Sequence, residues 1–255
     1  MLRLNPDLVC RRPFPHLFQR DVLDTTAYHA LRDEFPSPEW FPAGHDHGRR
    51  DFSYAQYGPS RFDDFIAQSA AWGDLFGYVR SPQAFDDVTG LFRPAMDEYG
   101  YLDGPLDRPD FSLSIAESGY TVRVHHDRRY HIAQFLLYFV DDEVIRGGDV
   151  CLYEPSAPKA LADYERCPEE GTLRASRTYR PEGNSALVWL NTGDSYHGVT
   201  RLEGVRRFLY VAFNSASHSA WPLGRHTEVV VGDNRSPYRS GRDFIQTVRP
   251  ANSPA

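Results

Sequence analysis

The chain has 255 residues, a formal net charge of −7 and a hydrophobic content of 41%, which together predict a single domain, residues 1–255, with a sizeable buried core. The acidic balance excludes nucleic acid as an expected partner, because phosphate binding needs a basic surface. No apolar run approaches the ~20 residues that a membrane-spanning helix needs, and no signal peptide is expected at the N-terminus.

The cysteines and the basic residues predict the cellular setting. Cys10, Cys151 and Cys167 are an odd set without zinc-like spacing, so we expect reduced thiols in a cytoplasmic protein. Of the 28 lysine and arginine residues only Lys159 is a lysine, a composition that we attribute to a GC-rich bacterial genome. The sequence pattern predicts no particular oligomeric state.

The first part of the chain, residues 1–105, is predicted to be mainly helical support for the rest. An extended segment around PFPHLF comes first, because its prolines restrict the backbone to extended conformations. Residues 21–35 place apolar side chains on one helical stripe. Ser60 is the predicted cap of a helix that ends near residue 79, and Ser81-Pro82 predicts the start of another helix.

The second part, residues 106–215, contains most of the predicted strands. Apolar runs of strand length occur in the segments HIAQFLLYFV, GGDVCLYEP, ALVWL and FLYVAFN. Helices followed by strands predict an α+β fold. Residues 154–183 form a polar connection that is too long for a structureless loop, so we expect a functional insert or a short helix there. Residues 216–255 form a C-terminal extension with a candidate strand at 226–231.

Three residues carry the chemistry that this pattern predicts. His125 and Asp127 are two positions apart at the end of a predicted strand, so their side chains point to one face. His197 follows a later apolar run. Two imidazoles and one carboxylate occupy one face of a ferrous ion and leave its other positions open. His126 is expected to point the opposite way, and His131 is the alternative ligand if the strand register is shifted.

These residues lie in five motifs that occur in a familiar order. They are His-x-Asp at 125–127, Tyr138 near the end of a strand, the glycine pair 147–148, Ser-x-His at 195–197 and Gly-x-Arg at 204–206. Over residues of about 111–214 the chain resembles the prolyl-4-hydroxylase-like branch of the Fe(II)/2-oxoglutarate-dependent dioxygenases. The resemblance implies a double-stranded β-helix (a jelly-roll, cupin-like core), Fe(II), 2-oxoglutarate and dioxygen as cosubstrates, and ascorbate as an optional reductant.

The resemblance also implies residues that bind 2-oxoglutarate, and two arginines compete for its far carboxylate. Counting from Gly204 selects Arg206, whereas the commoner family spacing from His197 selects Arg207. Strand parity favours Arg206, because Arg207 shares its face with an apolar set suited to packing on helices. Tyr138 aligns with a family tyrosine that contacts the cosubstrate, and Gln134 is a further candidate at a position where relatives often carry threonine.

Arg123 and Trp221 are the candidates for substrate binding. Arg123 has the parity of His125, so it either faces the cavity, where it would suit a carboxylate or phosphate, or lies on the surface of an edge strand. Trp221 and the histidines of the loop 45–47 are expected near the pocket, and a second metal at that loop is disfavoured because loop histidines are usually solvated. Trp189 is expected in the core.

The predicted activity is hydroxylation of an unactivated C–H bond. Asp127 stands where halogenating relatives carry a small residue, which favours hydroxylation over chlorination. The chain contains no recognisable substrate-recognition domain, so we expect a small molecule, such as a free amino acid or a natural-product intermediate. The alternatives are a hydroxylase of prolyl or other residues in proteins and, in another class, a catalytically silent metal-binding or sensor β-helix protein.

Overall fold

Helices and strands are largely separated along the chain, and most helices come before most strands. The computed structural model describes residues 2–41, 48–99, 101, 106–140, 145–156, 167–168, 171–216, 227–230 and 247–250. The α-helices are α1 (Thr25–Asp33), α2 (Tyr54–Ala67), α3 (Ala70–Val79), α4 (Pro82–Gly90) and α5 (Arg93–Tyr99). The strands are β1 (His16–Gln19), β2 (Arg49–Ser53), β3 (Leu106–Ala116), β4 (Val122–His125), β5 (His131–Tyr138), β6 (Val150–Pro155), β7 (Leu173–Tyr179), β8 (Ala186–Leu190), β9 (His197–Val199), β10 (Arg206–Ser215), β11 (Thr227–Val230) and β12 (Thr247–Pro250).

Two antiparallel sheets form the core of the protein. The larger sheet has the order β1-β8-β5-β10-β3-β2, and the smaller sheet has the order β4-β9-β6-β7. Between β3 and β10 the chain passes repeatedly from one sheet to the other, and side chains of both sheets share one apolar cluster. This crossing pattern is a double-stranded β-helix, so the predicted α+β fold is confirmed. The predicted strand at 226–231 is β11, which pairs with β12.

The larger sheet is apolar on the side that the helices cover. Phe135 and Leu137 of β5 and Leu209 of β10 are fully buried there, in one cluster with Trp72 and Phe76 of α3. The alternate residues of the same strands point to the smaller sheet, as the period of two requires. The helices therefore stabilise the sheet from outside and leave its inner face for a cavity.

The helix boundaries differ from the prediction at one place. A single helix was expected from Ser60 to about residue 79, but α2 begins at Tyr54 and ends at Ala67. Ser69 then starts α3, because its hydroxyl oxygen accepts a hydrogen bond from the Trp72 N–H at 3.1 Å. Ser81 caps α4 in the same way and Pro82 occupies its first turn, as predicted. Within the described residues, no helix combines the length and apolar content needed to cross a bilayer.

β2 and β7 lie in segments that were not predicted as strands, whereas β1 overlaps the extended segment predicted around PFPHLF. β1 and β2 come from the part expected to be mainly helical and form the two edges of the larger sheet. β7 lies inside the polar connection 154–183 and pairs with β6 at the edge of the smaller sheet. Its residues are exposed or half-buried throughout, so it has no apolar face that a hydrophobic pattern could reveal. All three cysteines are free thiols, as expected.

Candidate metal centre and cosubstrate pocket

Neighbouring strands of the smaller sheet bring the three predicted metal ligands together. His125 ends β4 and His197 begins β9, and the two residues are directly paired in the ladder. Their ring centroids are 4.5 Å apart. The Asp127 carboxylate lies between them, with Oδ1 3.5 Å from His125 Nε2 and Oδ2 3.3 Å from His197 Nε2. The three ligand atoms lie within 4.8 Å of one another, a spacing that one metal ion can bridge.

Backbone carbonyls determine which nitrogen each imidazole presents to this cluster. His125 Nδ1 lies 2.9 Å from the Arg123 carbonyl oxygen, and His197 Nδ1 lies 2.9 Å from the Ser195 carbonyl oxygen. A carbonyl oxygen can only accept, so Nδ1 carries the proton in both rings. The Nε2 lone pairs then face Asp127, and burial lowers the pKa of His197, which keeps its imidazole neutral. Both rings are therefore preset as metal ligands.

Gln134 and Tyr210 hold the Asp127 carboxylate in place. The Gln134 side-chain amide donates to Asp127 Oδ2 at 2.9 Å, and the Tyr210 hydroxyl donates to Gln134 Oε1 at 2.6 Å. The hydroxyl fixes the orientation of the amide, since the oxygen must accept and the nitrogen must donate. Burial alone would raise the pKa of Asp127, but the positive charge that His197 and His125 carry when protonated holds it well below its usual value. Gln134 was a candidate contact of the cosubstrate; the structure shows that it hydrogen-bonds the carboxylate ligand, and its cosubstrate role stays a prediction.

The two other histidines nearby do not join the cluster. His126 is fully buried and its ring nitrogens contact the carbonyl oxygens of Asp127 and Thr192. Burial lowers the pKa of His126 to about 4. His131 Nδ1 lies 2.6 Å from the side-chain oxygen of Asn214. The ladder register therefore supports His125 rather than His131 as the partner of His197.

A cavity of about 250 Å³ opens between the sheets beside these residues. Its apolar lining comes from both sheets and consists of Tyr120, Val122, Leu136, Val150, Trp189, Val199 and Phe208. Its polar lining, besides the cluster itself, consists of Arg49, Asp51, Ser53, Asp110, Ser112, Ser114, Arg128, His131, Arg206 and Tyr210. The cavity thus joins the candidate metal centre to a buried arginine and to a polar wall.

Arg206 is a buried cation without an anionic partner. Its side chain is almost fully buried, at 1% exposure, and its Nη1 donates to the Gly148 carbonyl at 2.5 Å. Its Nε has no hydrogen-bond partner, and no carboxylate pairs with it among the described residues. The Gly148 carbonyl reaches this position because the glycine pair packs closely against the neighbouring segment. A Cβ at Gly147 (φ +62°) would lie 2.1 Å from the Arg201 carbonyl oxygen. Such a guanidinium is suited to a ligand carboxylate.

Tyr138 lies beside the Arg206 guanidinium, whereas Arg207 lies on the other side of the sheet. Arg207 is exposed, and its guanidinium carbon lies 6.0 Å from the Phe35 ring on the helix side of the sheet. Tyr138 is buried with its ring 5.7 Å from the Arg206 guanidinium carbon. Its hydroxyl has no hydrogen-bond partner within the described part of the chain, and burial raises its pKa. Arg206 and Tyr138 therefore offer unsatisfied donors side by side.

Of the two predicted substrate residues, Arg123 does not line the cavity and Trp221 cannot be placed from the described residues. Arg123 is exposed and Val122 lines the cavity in its place. The β4–β9 ladder is irregular between Val122 and His125, which breaks the parity on which the prediction for Arg123 depended. Trp221 and the loop histidines at 45 and 47 lie outside the described residues.

The position of Trp189 beside His197 and the wall formed by β2 and β3 were missed by the sequence reasoning. Trp189 is buried in a core cluster, as expected, and it also lines the cavity, with its ring centroid 5.2 Å from that of His197. In β3 the polar residues Asp110, Ser112 and Ser114 alternate with apolar ones and all line the cavity. That alternation is a sequence signal that could have placed them on the inner face.

Comparisons with known proteins found similarity at the level of solved structures only. No protein-family model matches the sequence, and no curated protein matches it. A prolyl-4-hydroxylase from Pseudomonas putida has 15% identity and a TM-score of 0.47, over 78% of this chain and 92% of the other. HygX from Streptomyces hygroscopicus, solved with nickel, 2-oxoglutarate and hygromycin B bound, has 14% identity and a TM-score of 0.45, over 85% and 87%. A viral collagen prolyl hydroxylase from Paramecium Bursaria Chlorella virus-1 has 8% identity and a TM-score of 0.42, over 79% and 96%.

Proposed function

We propose that this chain is an iron(II)- and 2-oxoglutarate-dependent oxygenase that hydroxylates an unactivated C–H bond of a small molecule. One observation carries the proposal: a cluster of two imidazoles and one carboxylate shares a cavity with a buried arginine that lacks an anion. The cluster suits a ferrous ion with open positions. The arginine suits the far carboxylate of a dicarboxylic cosubstrate.

The residues present fit the metal. His125, Asp127 and His197 would hold it through two Nε2 atoms and one carboxylate oxygen, and the second carboxylate oxygen stays hydrogen-bonded to Gln134. When bound, the iron supplies the activation of dioxygen that C–H hydroxylation requires. The protein contributes the orientation of the three ligands, and the apolar part of the cavity lining limits water around the reacting groups.

The residues present also fit 2-oxoglutarate. Arg206 would pair with the far carboxylate, and the Tyr138 hydroxyl is the adjacent unsatisfied donor that could complete its hydrogen bonds. The direction of Arg207 supports the choice of Arg206, because Arg207 projects to the opposite side of the sheet. Ascorbate would act only as a reductant that keeps the iron ferrous.

The size of the cavity supports a small substrate. Its volume of about 250 Å³ lies below the ~300–1,000 Å³ that is typical of pockets for drug-sized ligands. A prolyl or other residue of a protein remains the alternative substrate, since a single side chain would also fit. A catalytically silent scaffold is disfavoured, because an inert core would have no reason to retain a buried cation whose Nε has no partner.

Anaerobic titration tests the proposal directly. We expect the protein to bind Fe(II) and then, on addition of 2-oxoglutarate, to develop a weak visible charge-transfer band from cosubstrate chelation. His197→Ala should give no band, whereas Arg207→Ala, which changes an exposed side chain, should keep it. Bound Fe(II) without any band on addition of 2-oxoglutarate to the wild type would contradict the proposed function.

A further inference from the structure

One wall of the cavity is polar and is built from the two strands β2 and β3. Asp51 pairs with Ser114 and Ser53 pairs with Ser112 across the two strands, so these side chains share the inner face of the larger sheet. Asp110 continues the same face of β3, two residues before Ser112. The proposed metal and cosubstrate sites use none of these residues.

The half of this wall at Asp51 is already satisfied within the protein. The Arg49 guanidinium lies 2.9 Å from Asp51 Oδ2, and the Ser114 hydroxyl donates to Asp51 Oδ1 at 2.6 Å. Arg49 also donates to the Tyr120 hydroxyl at 3.2 Å. The charge of Asp51 is therefore neutralised, and these residues give the wall its shape.

The other half, at Asp110 and Ser112, is not satisfied. Ser112 is 8% exposed, and its hydroxyl oxygen is buried without a hydrogen-bond partner in the described part of the chain. The Asp110 carboxylate is half-buried, and it forms no hydrogen bond or ion pair with a side chain that the structure describes. A buried hydroxyl and a carboxylate that are left without partners on one cavity wall indicate that a ligand supplies them.

The position of this pair is close to the candidate metal centre. Ser112 is the ladder partner of Tyr210, the residue that orients Gln134 against Asp127. Asp110 lies close enough to act on both neighbouring groups: burial lowers the pKa of His131 and Asp110 opposes that shift, whereas burial raises the pKa of Tyr210 and Asp110 adds to it. A group held by Asp110 and Ser112 would therefore place the atoms attached to it beside the metal ligands.

The chemistry of the pair selects a cation that donates hydrogen bonds. A carboxylate only accepts, and it needs a positive partner when water is displaced from it. The cavity cation Arg128 donates to the Tyr130 hydroxyl at 2.6 Å, and Arg206 is committed to the cosubstrate in the proposed function. An ammonium group has three N–H donors, enough for the carboxylate and for the Ser112 oxygen at once.

We infer that Asp110 and Ser112 bind an ammonium group of the substrate, so that the substrate of the proposed oxygenase is a small primary amine. This inference rests on the proposed function, because it assigns the substrate class of the same cavity. A neutral molecule of equal shape would leave the Asp110 carboxylate without a counter-charge and would bind less well.

The test uses the protein loaded anaerobically with Fe(II) and 2-oxoglutarate. The probes are alkylammonium ions, α-amino acids and amino sugars, each matched with the counterpart in which a hydroxyl replaces the amine. Binding is followed by the change in the charge-transfer band, and turnover by stimulated succinate formation in air. We expect at least one amine to change both readouts at concentrations where its hydroxyl counterpart changes neither.

Matched variants test whether Asp110 and Ser112 cause the preference for an amine. Asp110→Asn should weaken binding of the amine by roughly tenfold or more, and Ser112→Ala should weaken it by a smaller factor. Both variants should keep the band with 2-oxoglutarate alone. Asp107→Asn, an exposed change on the same strand, should alter neither readout.

The outcomes separate this inference from the proposed function. If the band forms but every amine in the panel behaves like its hydroxyl counterpart, the inference is overturned and the oxygenase stands. If an amine is preferred and Asp110→Asn binds it as well as the wild type does, the assignment of the ammonium-binding site to Asp110 is wrong. If no band forms in the wild type, the proposed function itself fails.

Discussion

Replacing Arg206 and Arg207 in turn gives the sharpest test of the cosubstrate pocket. Arg206 is buried with an unpaired Nε, whereas Arg207 is exposed on the opposite side of β10. Loss of the buried guanidinium would leave a ligand carboxylate desolvated and unpaired, at a cost of about 3 kcal/mol or more. Loss of an exposed strand-end charge should cost under about 1 kcal/mol.

These energies convert to separate ranges in the assay. At about 1.4 kcal/mol per tenfold, Arg206→Ala should raise the apparent KM for 2-oxoglutarate by roughly a hundredfold. Arg207→Ala should change it by less than about fivefold on the same scale. Succinate formation measured against 2-oxoglutarate concentration gives both values, and the thermal unfolding midpoint of each variant shows whether it is folded.

The ranking of the two variants decides the assignment. A large effect of Arg207→Ala with a small one of Arg206→Ala would refute the direction of β10 in the larger sheet. Small and equal effects in two folded variants would show that the cosubstrate carboxylate is bound elsewhere. Arg206→Lys keeps the positive charge but loses the paired N–H donors of the guanidinium. Its apparent KM for 2-oxoglutarate should therefore lie between those of the wild type and Arg206→Ala.

Three further outcomes are expected. His125→Ala, Asp127→Ala and His197→Ala should each abolish succinate formation while circular dichroism stays that of a folded protein, and full activity in either histidine variant would mean a wrong ligand. Because Asp127 occupies the position a halide would need, product mass spectra should show hydroxylation even in high chloride, and a mainly chlorinated product would overturn the assignment. Gln134→Leu removes the donor to Asp127 Oδ2 and should weaken Fe(II) binding by roughly ten- to hundredfold, as measured by competition with a chelator, whereas unchanged affinity would remove Gln134 from the metal centre.

Local patterns anticipated much of the site. The His-x-Asp spacing and the later His197 predicted a cluster that the ladder of β4 and β9 does assemble. The opposite directions of Arg206 and Arg207 followed from the two-residue period of a strand, which depends on no distant contact. Ser81 and Pro82 predicted the start of α4 because capping is a property of neighbouring residues.

Where a local rule was interrupted, the sequence left the outcome open or missed it. Strand parity left Arg123 either in the cavity or on the surface, and it is exposed because the irregularity between β4 and β9 changes which side chains face inward. β7 was missed because an exposed edge strand needs no apolar face. Neither feature can be read from its own segment, because each depends on the strand alongside it.

By itself the sequence indicated the three candidate metal ligands, the α+β fold class and the opposite directions of Arg206 and Arg207, because helical stripes, strand parity and short motifs are local patterns. Only the tertiary structure decided that Gln134 holds Asp127 and that Trp189 lies beside His197. It alone also placed the unsatisfied pair Asp110 and Ser112 on the cavity wall. These contacts join residues on different strands, and whether a polar atom has a partner depends on all the atoms around it. Strand pairing decides both, and the order of residues along the chain does not.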